Sequence, residues 1–163
     1  MDSNEMRKIF VGQNSNYYTA QWDLHEKTGI RMLPNKAAFS VFWFFYRKMY
    51  LIGTGILIGL IIMSFVIQII LTYAGLPETI SIQAGRLVVL GFWVFIGLKA
   101  NPIYLHHVER KIAKVKEGNP NDLENALKKS GGVSAVAVLI PIAIIAGFMY
   151  LLIMFLSQLV KMI

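Results

Sequence analysis

The sequence predicts an all-α membrane protein with three transmembrane helices, an aromatic helix lying in the interface before the first span, and amphipathic helices on the cytoplasmic side. Three observations lead there. Apolar residues make up 56% of the 163 and mean hydropathy is +0.56, above the roughly 45–50% usual for a soluble domain. Long uncharged apolar runs recur. The basic residues gather at alternate ends of those runs. So much apolar surface in so short a chain needs a bilayer, because a small domain cannot hide it from water.

The net charge is +7. Its carriers flank apolar runs, so they are expected to meet anionic lipid of the inner leaflet and not nucleic acid. No cysteine is present, which excludes disulfides and thiolate chemistry. The first 36 residues are polar, and no cleavable signal peptide is expected.

Residues 1–36 form a cytoplasmic N-terminal module. Ile9–Gly12 is a short apolar strand-or-loop stretch. Ser15 or Asn16 is placed to cap a helix, on which Tyr18, Trp22 and His25 step by four and three along one face. Thr28-Gly29 ends that helix, and Leu33-Pro34-Asn35 makes a turn.

Residues 37–163 form the membrane domain. Residues 37–48 hold Phe39, Phe42, Trp43, Phe44, Phe45 and Tyr46 and close on Arg47-Lys48. As a helix the apolar part rises only about 15 Å, half the hydrocarbon thickness, so it is expected to lie in the interface. The first span, 49–73, carries no charge, and Gly55 and Gly59 offer a small-xxx-small pair for close helix approach. The second, 80–99, must recruit Arg86. Nine Leu, Val, Ile or Phe residues between Leu87 and Leu98, each at about −0.3 to −0.6 kcal/mol, outweigh one displaced arginine. Arg86 can snorkel outward or pair with Glu78. Asn101-Pro102 is expected to start a new helix, as cap and first residue, with Leu105, Val108, Ile112 and Val115 on its apolar stripe. Asn121 and Glu124 resemble a capping box for a short helix ending at Lys128-Lys129. Ser130-Gly131-Gly132 is a joint. The third span, 133–160, is expected to kink at Pro141 and to anchor on Lys161. The segment 100–132 is thus a basic helical loop.

Seven Lys and Arg precede the first span: Arg7, Lys8, Lys27, Arg31, Lys36, Arg47 and Lys48. Arg86 alone lies near the first turn between spans. Seven more, Lys99, Arg110, Lys111, Lys114, Lys116, Lys128 and Lys129, lie between the second and third spans, and Lys161 follows. The positive-inside rule then puts the N-terminus and the basic loop in the cytoplasm and the C-terminus outside. An impermeant thiol reagent should reach cysteines at Glu78 and Ile163 and not at Ser3 and Asn119.

Gly12-Gln13-Asn14 with Tyr17-Tyr18 and Trp22, then Asn35, Ala38-Phe39, Trp43 and Tyr46-Arg47-Lys48-Met49-Tyr50, together resemble the bacterial membrane family catalogued as domain of unknown function 2628. The segment from Tyr104 to Ile112, with His107, Val108, Lys111 and Ile112, is similar to a later stretch of that family. A glycine-proline break often interrupts the aromatic run there, whereas Ser40-Val41 stands in that region here. The resemblance implies a small bacterial membrane protein with no assigned reaction, and it supplies no catalytic residues.

Few polar groups suggest chemistry. His106 and Glu109 could share an ion on one helix face, but a catalytic zinc site needs three protein ligands and His25 is remote. Amphipathic interface residues are the expected reading, with no metal and no cofactor. No acidic residue falls within a span, and no Ser-His-Asp set or phosphate loop is visible. Tyr17, Tyr18, Trp22 and His25 are the candidate partner-binding residues, unless they pack on their own protein. Arg47, Lys48, Arg110, Lys111, Lys114 and Lys116 are the candidate lipid headgroup contacts. The expected function is association, as an adaptor or accessory subunit with a protein partner or a second copy. The alternative is a subunit of an oligomeric pore or transporter.

Overall fold

A computed structural model describes residues 1–118 and 120–162. Asn119 and Ile163, two of the four topology positions, lie outside the described residues, as does the side chain of the expected anchor Lys161. The described residues are helical, with no strand among them.

Helix α1 (Ser3–Val11) begins on Asp2, whose carboxylate accepts the Glu5 N–H, and ends on Gly12 at φ 62°. The apolar stretch Ile9–Gly12 is therefore its last turn and neither strand nor loop. Met6 and Phe10, four apart, bury with Val11. Helix α2 (Ser15–Thr28) follows after Asn14 in the left-handed region at φ 62°, with no side-chain cap. Neither Ser15 nor Asn16 caps it, because the Gly12–Asn14 turn sets the entry, Ser15 N–H donating to the Gly12 carbonyl. Gly29 closes α2 as expected.

The aromatic run is not one interfacial helix. It divides into a 3-10 turn (Lys36–Phe39) and α3 (Val41–Tyr46), separated by extended Ser40. Each piece has its own cap: Asn35 accepts from Ala37 N–H and Ser40 from Phe42 N–H. These local bonds compete with helix continuation, and the break turns Trp43, Phe44 and Phe45 into the protein. Only Phe39 and Phe42 remain outward-facing.

Helix α4 (Tyr50–Tyr73) and α5 (Glu78–Glu117) form the main hairpin. No new helix starts at Asn101-Pro102, since α5 runs unbroken through 40 residues with Pro102 inside it. An interior proline costs about 3 kcal/mol. Burial on both sides offsets it: Ile96, Ala100, Tyr104, Val108 and Ile112 recur every four residues as one buried stripe across the proline. Leu105 and Val115 only flank this stripe. Arg86 is exposed on α5 and meets no carboxylate among the described residues. Glu78 heads the same helix, about 12 Å away along its axis, too far to pair.

Helix α6 (Leu123–Ser130) is capped by Asp122, not Asn121, and Glu124 pairs instead with Lys128. A 3-10 turn (Val136–Val138) leads into α7 (Leu139–Met162). Pro141 falls in the first turn of α7, where its missing N–H would have no partner anyway, so it marks a start and not a mid-span kink.

Three of these helices are long and apolar enough to cross a membrane: Tyr50–Tyr73, Glu78–Glu117 and Val136–Phe155. Only 11%, 17% and 11% of their most apolar windows are buried, so the rest of the described chain leaves these helices largely uncovered. On these apolar helices the closely approached glycines are Gly53, against the Phe45 ring, and Gly97, against the Phe39 ring. Gly55 and Gly59 face open space, with no contact to that pair among the described residues. At the other end α1, α2 and α6 pack around the second half of α5 as a head.

Candidate functional site

The centre of the head is Tyr104. Around its ring stand those of Tyr18, Trp22 and Trp43, with centroids at 5.0, 5.7 and 5.5 Å, all edge-on, the geometry that aromatic quadrupoles favour. The Arg47 guanidinium lies 4.7 Å from the Tyr18 ring centre and 5.3 Å from that of Tyr104. Its Nη1 donates to the Val11 carbonyl at 3.1 Å and its Nη2 to the Gln13 carbonyl at 3.0 Å. Those carbonyls lie at and just beyond the negative end of α1. Arg47 is thus 4% exposed and is no headgroup contact. Its planar fork suits aromatic faces and paired carbonyls. Burial pushes the Tyr104 hydroxyl up to about 12 despite Arg47 nearby.

Two polar nodes tie the chain ends of this core together. Asn35 donates to Asn101 Oδ1 at 3.1 Å and to the Tyr18 hydroxyl at 3.3 Å. Asn101 in turn donates to the Leu33 carbonyl at 2.8 Å and to the Tyr17 hydroxyl at 3.4 Å. Asn101, expected as a helix cap, is instead fully buried and joins the turn after α2 to the middle of α5. Arg7, also buried, bridges Glu26 of α2 and Glu109 of α5. Its hydrogen bond holds the Glu26 carboxyl below the usual range. Sequence reasoning missed Arg7. The signal available was Met6 and Phe10 at helical spacing, which would have put residue 7 on a helix beside a buried face.

The four candidate partner-binding residues do not share a surface. Tyr18 and Trp22 are core, at 4% and 0% exposure. Tyr17 is half-exposed, while exposed His25 has Nδ1 2.8 Å from the Ile30 carbonyl oxygen. They split because Tyr104 and Trp43, distant in sequence, supply the surface on which Tyr18 and Trp22 close.

The basic candidates fare differently. Lys48, Arg110, Lys111 and Lys114 come together around a groove of about 530 Å³. Met49, Tyr50, Leu51 and Ile52 form one wall, and His106 and His107 complete the other; no carboxylate lines it among the described residues. Lys48 sits in the left-handed region at φ 57°, with its Nζ donating to the carbonyls of Gly131 and Lys129. That conformation costs a non-glycine residue about 1–2 kcal/mol, and the two carbonyl bonds offset it. Burial, then Lys111 and Arg110, pushes His107 down to about 4, so it is neutral at pH 7. Lys116 is elsewhere, lining a second cleft of about 270 Å³ with Arg7 and Glu109. Glu109 is engaged by Arg7, and no group of three metal-ligating residues occurs among the described residues.

No curated protein and no solved structure matches the chain. The family described as "Protein of unknown function (DUF2628)" matches residues 9–110. That stretch contains Tyr18, Asn35, Arg47, Asn101 and Tyr104, the residues that build the head's core. The chain belongs to the DUF2628 family.

Proposed function

We propose that this is a multi-pass protein of the bacterial inner membrane that acts by association, its head in the cytoplasm and its C-terminus outside. One observation carries the reading: a head with its polar groups largely satisfied internally adjoins three helices whose apolar surfaces are uncovered, and a groove with one basic and one apolar wall lies at the boundary. The seven–one–seven–one distribution of Lys and Arg supports the orientation. Association is favoured over turnover because buried Arg7, Asn35, Arg47 and Asn101 are tied to partners within the head, and among the described residues no set of reactive groups converges on a cavity. Its partner is a protein or a second copy, meeting the outward side of α2, where Tyr17, Leu24 and His25 are exposed.

Single cysteines at Ser3 and Glu78 test the orientation. Only the Glu78→Cys variant should react with an impermeant reagent applied to intact cells, and the reverse pattern would sink it. A photo-crosslinker in place of Tyr17 or His25 should capture a partner that one in place of Gln83 does not. A pore subunit is the rival, supported by the open Gly55–Gly59 face of α4. A detergent-solubilised mass of one chain would exclude it.

A further inference from the structure

We infer that the basic groove is a site for one anionic phospholipid, with Arg110, Lys111 and Lys114 around its phosphate and an acyl chain beside Leu51. This rests on the membrane reading above and gives that surface a specific ligand.

The groove has two unlike walls. On one side α4 begins, and Tyr50 and Leu51 are 42% and 89% exposed. That wall leads directly into the apolar length of α4. On the other side α5 presents His106, His107, Arg110, Lys111 and Lys114. A ligand filling the space touches cations at one end and an apolar helix at the other, as a phospholipid does.

The cations are also unspent. Lys48 is bound to two carbonyls, but Arg110, Lys111 and Lys114 are exposed, and none meets a carboxylate within 4.0 Å among the described residues. Glu109, the acid next to Arg110 in sequence, is drawn off to Arg7. The first-turn N–H groups of α4, at Tyr50 to Ile52, lack intrahelical partners and add positive potential to the same wall. The volume of about 530 Å³ is in the range that holds a drug-sized molecule, more than a bare phosphate fills. A diffuse attraction to anionic lipid would weight every exposed lysine of the head alike, whereas a site weights these three.

Native mass spectrometry of the full chain in neutral detergent, with equal phosphatidylglycerol and phosphatidylcholine, tests this. The protein should retain one phosphatidylglycerol, at least tenfold in preference to phosphatidylcholine. Removing three charges together, Arg110→Gln, Lys111→Gln and Lys114→Gln, should cut retention at least tenfold. The matched Lys8→Gln, Lys27→Gln and Arg31→Gln variant should change it less than twofold. Equal losses in the two triple variants would overturn the site in favour of diffuse attraction. Full displacement of the lipid by millimolar inorganic phosphate would overturn the lipid as occupant. If the groove variant loses its protease-resistant head, Lys111→Gln alone should still lower retention several-fold, and no change would overturn the site. Failure of the membrane reading shows separately, as release of the protein from membranes by alkaline carbonate.

Discussion

The head and the apolar helices are built on opposite terms. In the head, Trp22, Phe44, Tyr104, Val108 and Leu127 are almost or wholly inaccessible, and buried Arg7, Asn35, Arg47 and Asn101 have partners within the chain. In the helices Ile62, Ile70, Leu90 and Leu151 are each more than half exposed, and α7 reaches the others mainly through α3 and a Phe65–Phe148 edge contact at 6.2 Å. Internal packing therefore specifies the head, while the described chain leaves the helices largely uncovered. One chain thus combines a jigsaw core with a sparsely packed hairpin and a third helix.

The largest expected effect is in the head. Tyr104→Ala removes the ring that Tyr18, Trp22 and Trp43 share, and should cost about 3–5 kcal/mol. Limited proteolysis in detergent should then cut within residues 1–31, while the protein still fractionates with membranes. Ile62→Ala, 57% exposed, should move head stability by less than about 0.5 kcal/mol. Equal effects would erase the contrast.

Next come the glycines. A Cβ at Gly131 would strike the Phe10 backbone carbonyl, which cannot swing aside. Gly131→Ala should open the α1–α6 contact and raise amide exchange in both helices. Gly97→Ala meets the Phe39 ring first, its nearest atom at 2.8 Å, and that half-exposed ring can turn away, so the loss should be smaller. Gly55→Ala should be neutral for one chain, and any loss of a larger species in the same variant would reveal a second copy on that face.

Acid should loosen the head by a gentler route. The Glu26 carboxyl is held low by Arg7. Its contribution is therefore complete above the ordinary carboxylate pKa and is lost as pH falls through the lowered value. Glu26→Gln should flatten that part of the pH–stability curve. His107 adds a separate pH dependence. Being pushed down to about 4, it favours folding fully above about 6.5 and loses that contribution as pH drops towards 4. An NMR titration that places its midpoint near 6.5 would show the site to be wetter than the groove geometry implies.

What was legible in the sequence follows the same division. The three apolar helices announce themselves because near-exclusion of charge over about 20 residues, with Arg86 the exception, is a local property. The head was read less well because its logic is pairwise and distant. Tyr18 and Trp22 share a face in sequence, but whether that face points outward depends on Tyr104, over 80 residues later. Arg47 looks like an interfacial anchor until the end of α1 is brought to it. Asn101-Pro102 has the composition of a helix start, and only the buried stripe running through it shows why α5 continues. Of the basic groove, Lys48, Arg110, Lys111 and Lys114 were identifiable from sequence. That Arg47 and Lys116 lie elsewhere was not, since helix phase and packing decided it.

The Arg7–Glu109 bridge spans 102 positions, and that has a bearing on biosynthesis. At about 5–20 residues per second, α1 leaves the ribosome roughly 5–20 s before the acid it must grip has been made. During that interval Phe10 and Trp22 have no Tyr104, Val108 or Leu127 to close on, while α4 and the first half of α5 are still being made. A segment translated early is therefore among the last to be secured, and its aromatic side chains stay available to other surfaces until α6 emerges.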